Sequence, residues 1–157
     1  MLGYWGAPEE TADRFTGEWF LTGDHVSLSE DGAVTYLGRT DDMINAGGIR
    51  VSPIEIESVL NAHPDITESA AAEVAVKADT TVIAAFYVAP AELDGEALRD
   101  YTAERLAAYK VPRIYVRLEV LPKNANGKLA RKSLRESYEH SHSRAGGELA
   151  GSPGKVL

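Results

Sequence analysis

Cysteine is absent from this sequence, which excludes both a disulfide framework and covalent catalysis by a thiolate. Histidine is scarce as well. The four histidines show no metal-ligand spacing beyond one His-x-His pair; they are His25, His63, His140 and His142. Structural and catalytic metal ions need closely spaced sets of such ligands, so we predict no metal site in this chain.

Long apolar runs and an excess of basic residues are also missing. No segment approaches the roughly 18 apolar residues of a membrane span, and the N-terminus lacks the layout of a signal peptide. These features predict a cytoplasmic protein without a membrane span. Lysine and arginine total 16 against 24 acidic residues, a net charge of −8. That balance disfavours a general nucleic-acid binder, so any anion site must be local.

The composition that remains is typical of a globular domain. Hydrophobic residues make up 44% and charged residues 25% of 157 residues, and a chain of this size buries a substantial core. Ser52-Pro53-Ile54-Glu55 has the form of a capping box, which predicts a helix over 53–61. Asp94 is a candidate cap for a second helix over 95–108.

Three runs of apolar residues predict strands. Two of them, over 69–76 and 82–88, are separated by a short polar turn and predict an antiparallel pair. Strict alternation over 114–120 predicts a third strand with one solvated face. The predicted fold class is therefore α+β: a small three-stranded sheet with flanking helices and an entry β-hairpin, preceded by the last β segment of a missing large domain.

A polar break, Gly38-Arg39-Thr40-Asp41-Asp42, predicts a domain boundary at Asp41. Residues 1–40, in which the runs 19–21 and 33–37 predict a hairpin, are too small to bury both faces of a sheet and are predicted to end a large preceding domain. Residues 41–138 are predicted to form a small domain, with a short basic helix after Gly127. The Gly-, Ser- and His-rich residues 139–157 predict a disordered tail.

Four motifs follow one another along the chain: Thr22-Gly23-Asp24, residues 38–42, residues 47–57 and residues 122–128. In order and spacing they resemble the late motifs of the adenylate-forming, AMP-binding enzymes. This family includes acyl- and aryl-CoA synthetases, peptide-synthetase adenylation domains and luciferases. Such enzymes activate a carboxylic acid with ATP to an acyl-AMP, release pyrophosphate and usually transfer the acyl group to a thiol.

The first two motifs imply roles in nucleotide binding and domain movement. By resemblance, Asp24 accepts hydrogen bonds from the ribose hydroxyls of ATP, and Arg39 reaches the nucleotide. Asp41 matches the hinge about which the small domain rotates between an adenylating and a thiol-transferring pose. An isolated Thr-Gly-Asp would be an ordinary turn, and Asp41 could simply cap one, so these roles depend on the motifs occurring together.

The later motifs imply roles in CoA binding and adenylation. Gly47 and Gly48 match the loop beside which the pantetheine arm of CoA passes, and Arg50 matches an arginine that contacts a phosphate in some CoA ligases. The alternative for the glycines is a plain turn or bulge. Lys128 matches the lysine that neutralises the carboxylate and α-phosphate oxygens during adenylation.

The surroundings of Lys128 support that role independently of the resemblance. Between 123 and 135 the chain has no acidic residue but several basic ones: Lys123, Lys128, Arg131, Lys132 and Arg135. In an acidic chain such clustering favours a phosphate-bearing partner over a solvated face. Asn126-Gly127 predicts a turn that presents Lys128 outward.

The predicted function is that of the C-terminal part of an AMP-forming carboxylic acid–CoA ligase, inactive without its large N-terminal domain. The resemblance implies ATP, CoA and a carboxylic acid as ligands, with Mg²⁺ bound mainly by the missing domain. One alternative is a peptide-synthetase adenylation domain, which passes its acyl group to a carrier protein. The other is a non-catalytic domain that binds a nucleotide or a partner.

Overall fold

The chain divides into two structural units. The computed structural model describes residues 1–77 and 80–143, and the first unit ends at Met43 while the second starts at Ile44. The division therefore follows Asp41 by two residues. The assignment of residues 1–40 to a larger domain remains a prediction.

The first unit is built from one short helix and two β-hairpins. Its elements are α1 (Pro8–Asp13), β1 (Phe15–Thr16), β2 (Trp19–Phe20), β3 (Asp24–Leu28), β4 (Val34–Arg39) and a 3₁₀ turn at Thr40–Asp42. Strand β1 pairs with β2, and β3 pairs with β4. The predicted single hairpin of 19–21 with 33–37 is wrong, because a tight turn with Gly17 at φ 61° returns β2 onto β1.

A hairpin and a helix open the second unit. The hairpin is formed by β5 (Ile44–Ala46) and β6 (Ile49–Val51), and α2 (Pro53–Asn61) follows it directly. The helix has the predicted bounds, but the capping box does not form. Ser52 occupies the N-cap position without the side-chain capping bond, and the Glu55 carboxylate instead accepts hydrogen bonds of 2.6 and 2.7 Å from Lys110 Nζ.

The predicted three-stranded sheet is confirmed. It consists of β7 (Glu68–Lys77), β8 (Thr80–Val88) and β9 (Ile114–Leu118), in the order β7-β8-β9. Strands β7 and β8 are antiparallel, as predicted, and β8 and β9 are parallel. Together with the flanking helices and the entry hairpin, this sheet gives the α+β class expected from the sequence.

The parallel pair requires a crossover, which contains α3 (Gly95–Ala103) and a 3₁₀ turn at Ala108–Lys110. Asp94 caps α3 as predicted, because its carboxylate accepts a 3.0 Å hydrogen bond from the Glu96 amide. The helix is shorter than the predicted 95–108. Near its end the Thr102 hydroxyl bonds to the carbonyls of Leu98 and Arg99, each at 3.0 Å, a pattern that competes with continued helix.

The last element, α4, runs from Arg131 to Ser143. The basic helix expected after Gly127 therefore begins four residues later. The prediction of a disordered tail over 139–157 is wrong for residues 139–143, which continue this helix; residues 144–157 lie outside the described part of the chain. Helix α4 is held to the sheet at two points, since Leu134 is buried and the Glu139 carboxylate accepts a 2.9 Å hydrogen bond from the Ala75 amide.

Helices and loops cover both faces of the sheet. We call the first face the side on which Ala71, Ile83, Ala85 and Tyr87 pack against hairpin β5–β6, α2 and α3. The second face carries the alternate strand residues, which pack against α4 and the segment before it; they are Ala70, Ala72, Val74, Ala84 and Phe86. Strand β9 has no fully solvated face, contrary to the prediction. Its Tyr115 packs on the first face, while its alternate residues pack on the second.

No helix in the described part of the chain is long and apolar enough to cross a membrane.

Candidate functional site

Asp24 and Arg39 are brought together by the β3–β4 hairpin. They are directly opposed across the two strands, and Arg39 Nη1 donates a 3.0 Å hydrogen bond to Asp24 Oδ1 and a 2.8 Å bond to the Thr22 carbonyl. The side chains are 33% and 45% exposed, so the pair itself contributes little stability. An ionised carboxylate has about four lone-pair positions. Asp24 can therefore accept further hydrogen bonds, including those of a ribose diol.

Gly23 lies close to this pair. Its φ is +77°, and a Cβ at this position would lie 3.1 Å from Arg39 Nη2 and 3.3 Å from Arg14 Nη1. Its carbonyl also accepts a 2.8 Å hydrogen bond from the Thr40 amide. Glycine is favoured here by the left-handed backbone, while a Cβ would require only small shifts of the two flexible guanidinium groups.

Asp41 lies in the middle of the 3₁₀ turn Thr40–Asp42, immediately before the division between the units. Its side chain is exposed. The residues on either side of this turn, Arg39 and Met43, are both extended, with ψ of 145° and 129°. A single helical turn between extended segments is a short element that a change in a few torsions can redirect, as a hinge requires.

Gly47 and Gly48 form the two-residue loop of hairpin β5–β6. Ala46 and Ile49 are paired on either side of it, and the glycines have φ of 61° and 90°. Positive φ at both central positions defines a type I′ turn, for which Gly-Gly is a favoured sequence. A Cβ on either glycine would meet no described atom within 4 Å. The outer side of the loop is therefore open to a ligand.

The Asn45 side chain helps to hold hairpin β5–β6, and the hairpin carries the exposed side chain of Arg50. The Asn45 side-chain oxygen accepts a 2.9 Å hydrogen bond from the Gly48 amide, and the Asn45 amide donates at 3.0 Å to the Glu73 carboxylate on β7. Arg50 is paired with Asn45 across the hairpin and is exposed. The structure thus groups Gly47, Gly48 and Arg50, the three residues predicted to contact CoA, on one rigid projection.

Lys128 lies at the end of a tight exposed loop whose organiser is Asn124, a residue that sequence reasoning did not identify. The Asn124 side-chain oxygen accepts hydrogen bonds from the amides of Asn126 and Lys128, at 3.0 and 2.9 Å. The Asn124 amide and carbonyl bond to the Lys128 carbonyl and the Gly127 amide, at 2.8 and 2.9 Å. Gly127 has φ of 73°, as the predicted left-handed turn requires. The asparagine before the turn was the available signal, since Asn side chains commonly bond to backbone amides two residues on.

The hairpin and the Lys128 loop are anchored on opposite faces of the sheet. Ile44 and Val51, at the base of the hairpin, are buried against the first face. Leu121 and Leu129, which flank the loop, pack against the second. The second unit therefore presents the two candidate loops on different sides of its sheet.

Within residues 1–77 and 80–143, no group of three or more histidine, aspartate or glutamate side chains is arranged to hold an ion.

Comparison with known proteins identifies the class. Residues 55–128 match the family model of the AMP-binding enzyme C-terminal domain. Relatives that match 85% of the chain include a 2-succinylbenzoate–CoA ligase and a benzoate–CoA ligase. The chain belongs to the adenylate-forming enzymes and corresponds to the C-terminal region of their acyl-CoA synthetase or acid–CoA ligase type.

Two relatives illustrate the range of the sequence matches. The 2-succinylbenzoate–CoA ligase of Geobacillus kaustophilus is 45% identical over 136 residues, which cover 85% of this chain and 28% of that protein. Tyrocidine synthase 1 of Brevibacillus parabrevis is 36% identical over 141 residues, or 85% of this chain and 13% of that protein.

A solved neighbour adds ligands to this comparison. The o-succinylbenzoate CoA synthetase of Bacillus subtilis, solved with an acyl-adenylate intermediate and separately with ATP and a magnesium ion, matches with a TM-score of 0.79 and 34% identity. The match covers 85% of this chain and 28% of the synthetase. The chain thus spans little more than a quarter of the CoA ligases that it matches.

Proposed function

We propose that this chain is the small mobile domain of an AMP-forming carboxylic acid–CoA ligase and that it acts together with a large N-terminal domain. The observation that carries the proposal is that the second unit holds two candidate loops on opposite faces of its sheet. The Lys128 loop and the Gly47-Gly48 hairpin are each held by backbone hydrogen bonds and are anchored on opposite faces of one sheet. A domain that rotates could therefore present one of them to the active site in each half-reaction.

In the adenylation half-reaction, a carboxylate oxygen of the acid attacks the α-phosphorus of ATP, and the bond to pyrophosphate breaks. Negative charge accumulates on the carboxylate and α-phosphate oxygens, where the compact ammonium of Lys128 would stabilise it. The exposed position of Lys128 and the rigid loop beneath it suit this role. Asp24 would accept hydrogen bonds from the ribose hydroxyls, and Arg39 would hold Asp24 in place while reaching the nucleotide.

In the thiol-transfer half-reaction, the sulfur of CoA attacks the acyl carbonyl and AMP leaves. Rotation about Asp41 would bring the hairpin to the active site. The Gly47-Gly48 turn has room on its outer side for the narrow pantetheine arm, and exposed Arg50 would contact a phosphate of CoA.

The proposal assigns residues 1–40 to the end of the large domain and residues 41–138 to the small domain, whose last helix α4 continues to Ser143. The phosphate-binding loop, the acyl pocket and the ligands of Mg²⁺ would belong to the rest of the large domain, so the isolated chain is expected to lack ligase activity. The substrates are ATP, CoA and a carboxylic acid. The composition is that expected of a cytoplasmic enzyme.

The test uses the full-length enzyme, meaning this chain together with the proposed large domain. Lys128→Ala should lower the rate of acyl-AMP formation by about 10²–10³, the usual cost of one preorganised stabilising group. Thioester formation from supplied synthetic acyl-AMP should continue at close to the wild-type rate. Lys132→Ala is the matched control, because Lys132 belongs to the same basic segment and its side chain is 79% exposed.

Three outcomes would count against the proposal. Equal loss in both half-reactions would indicate that Lys128 supports the fold rather than adenylation. An unchanged adenylation rate would make Lys128 a solvated lysine. Pyrophosphate release by the isolated chain with ATP and a panel of acids would contradict the need for a second domain.

The peptide-synthetase alternative is favoured by one observation, the similarity to tyrocidine synthase 1. It predicts the same adenylation but a different acceptor. Supplying the wild-type enzyme with either CoA or a pantetheinylated carrier protein distinguishes the two, since a ligase of the CoA type transfers the acyl group to free CoA.

A further inference from the structure

An ion pair between Glu57 and Arg131, largely shielded from solvent, joins α2 to α4. Arg131 Nη2 donates hydrogen bonds of 2.8 Å to both carboxylate oxygens of Glu57, and Arg131 Nε donates at 3.2 Å to Oε1. The side chains are only 12% and 17% exposed for Glu57 and Arg131. By comparison, the side chains of the Lys123–Glu68 pair are 45% and 40% exposed. Sequence reasoning treated Arg131 only as a member of a basic cluster and assigned Glu57 no partner.

The Glu57 carboxylate is fixed to the sheet as well as to Arg131. Its Oε1 accepts a 2.9 Å hydrogen bond from the Ala71 amide, which belongs to the edge strand β7. The Glu57 backbone carbonyl also accepts a bond from the Ser69 hydroxyl at 3.3 Å. Glu57 is therefore a rigid anchor, and the guanidinium bound to it has little freedom to move.

Arg131 follows Lys128 by three residues and begins α4. Between them, the Ala130 amide donates a 2.9 Å hydrogen bond to the Pro122 carbonyl, and Leu129 forms a bridge with Lys123. The loop that carries Lys128 is thus closed at its base, and its C-terminal side is tied by Arg131 to the helix on the other face of the sheet.

The burial of this pair argues for a purpose beyond stability. Taking two charges out of water is costly in free energy, and apolar side chains of similar size often serve stability equally well. What apolar side chains cannot supply is the directional constraint of parallel N–H···O bonds. A catalytic group displaced by about 1 Å can lose on the order of 10² in rate, so a constraint three residues from Lys128 bears directly on adenylation.

We propose that Glu57 and Arg131 are positioning residues for Lys128: the ion pair holds the base of the loop so that the ammonium is aligned for adenylation and not for thiol transfer. This inference rests on the proposed role of Lys128. The position of the Lys128 ammonium relative to the reacting atoms is then set by the sheet edge at Ala71 and not by the loop alone.

The main test is the double variant Glu57→Gln/Arg131→Met in the full-length enzyme. It leaves no buried charge unpaired, and the glutamine oxygen can still accept the Ala71 amide bond, so the fold should be retained. We expect acyl-AMP formation to fall about 10- to 100-fold through kcat, with thioester formation from supplied acyl-AMP within about twofold of wild type. Arg131→Lys, which keeps the charge but not the bidentate geometry, should give an intermediate adenylation rate.

Lys110→Met is the matched control. It removes the other ion pair of α2, Lys110–Glu55, with Nζ to Oε1 at 2.6 Å, and it should leave the adenylation rate unchanged. Circular dichroism and thermal unfolding should give similar curves for all folded variants.

Several results would overturn the inference. These are wild-type adenylation in the folded double variant, equal loss in both half-reactions, the same adenylation loss in Lys110→Met, or a double variant that does not fold. Lys128→Ala, measured in parallel, distinguishes a failure of the positioning role from a failure of the proposed function. If it loses adenylation while the double variant does not, only the positioning role fails; if it keeps adenylation, the proposed function itself fails.

Discussion

The Gly47-Gly48 turn offers a prediction in which backbone strain and ligand access can be measured separately. Gly48 has φ of 90°, and a Cβ there would meet no described atom within 4 Å. Gly48→Ala should therefore cost only the strain of a left-handed residue, about 1–2 kcal/mol. The loss of glycine's freedom in the unfolded chain returns roughly 0.4–1 kcal/mol of that. We expect a net loss in unfolding free energy of about 1 kcal/mol.

Gly47→Asn is the paired variant. At φ of 61° an asparagine is well tolerated, and Asn-Gly is a favoured pair for a type I′ turn. The unfolding free energy should therefore change by less than about 0.5 kcal/mol. The new side chain would nevertheless project from the open outer side of the loop, where the pantetheine arm of CoA is proposed to pass.

The stability assay is urea unfolding of this chain followed by circular dichroism. Tryptophan fluorescence is unsuitable, because Trp5 and Trp19 both lie in the first unit. A net loss near 1 kcal/mol corresponds to a fall in Tm of roughly 4–8 °C for a domain of this size.

The activity assay measures both half-reactions of the full-length enzyme. Gly47→Asn should slow thioester formation and leave adenylation unchanged. Gly32→Ala is the control for strain alone, since Gly32 also has positive φ, 84°, and open space around its Cβ position. Wild-type thioester formation by Gly47→Asn would refute the proposed CoA path. A Gly48→Ala chain as stable as wild type would refute the strain argument.

Two further predictions concern the hinge and the sheet. Asp41→Pro should fix φ near −65°, which suits the 3₁₀ turn seen at Thr40–Asp42, so one half-reaction should be impaired far more than the other in stopped-flow assays. Equal losses, or the same pattern in Asp41→Ala, would argue against a hinge there. Burial raises the pKa of Tyr115, so its contribution to stability should be present below about pH 10 and lost as the pH rises further, because the unfolded chain releases the proton first. Urea unfolding at pH 8 and pH 11 should show a smaller alkaline loss in Tyr115→Phe than in wild type, and identical losses would contradict this reading.

Sequence patterns predicted elements well where the signal is local. The helix over 53–61 has a proline at its first position and apolar residues at helical spacing, and both act within a few residues. The Gly47-Gly48 turn and the Asn126-Gly127 turn are likewise determined by which residues tolerate positive φ. These local rules account for the shape of the two loops, whereas their assignment to CoA and to adenylation came from the resemblance, and the roles of their residues stay predictions.

Local patterns were weaker where an element depends on its partner. Residues 19–21 were paired with the wrong strand, since the sequence does not state which of two nearby runs lies closer. Strand β9 was given a solvated face because Tyr115 and Arg117 are polar, but Tyr115 is packed on the first face and hydrogen-bonded to Thr102 at 2.7 Å. The end of α4 was missed because the contact between Glu139 and Ala75 joins residues 64 positions apart.

The sequence by itself determined the main helix, the strands and the turns, because glycine torsions and apolar periodicity act over a few residues, and its resemblance to the adenylate-forming enzymes supplied the candidate site residues. Only the tertiary structure decided that the hairpin and the Lys128 loop are anchored on opposite faces of the sheet, and that Glu57 binds Arg131. Those residues are 74 positions apart, and they meet because α2 and α4 pack on opposite faces of the edge strand β7. Alanine has a low preference for strands, so β7 is a strand because residues pack against both of its faces.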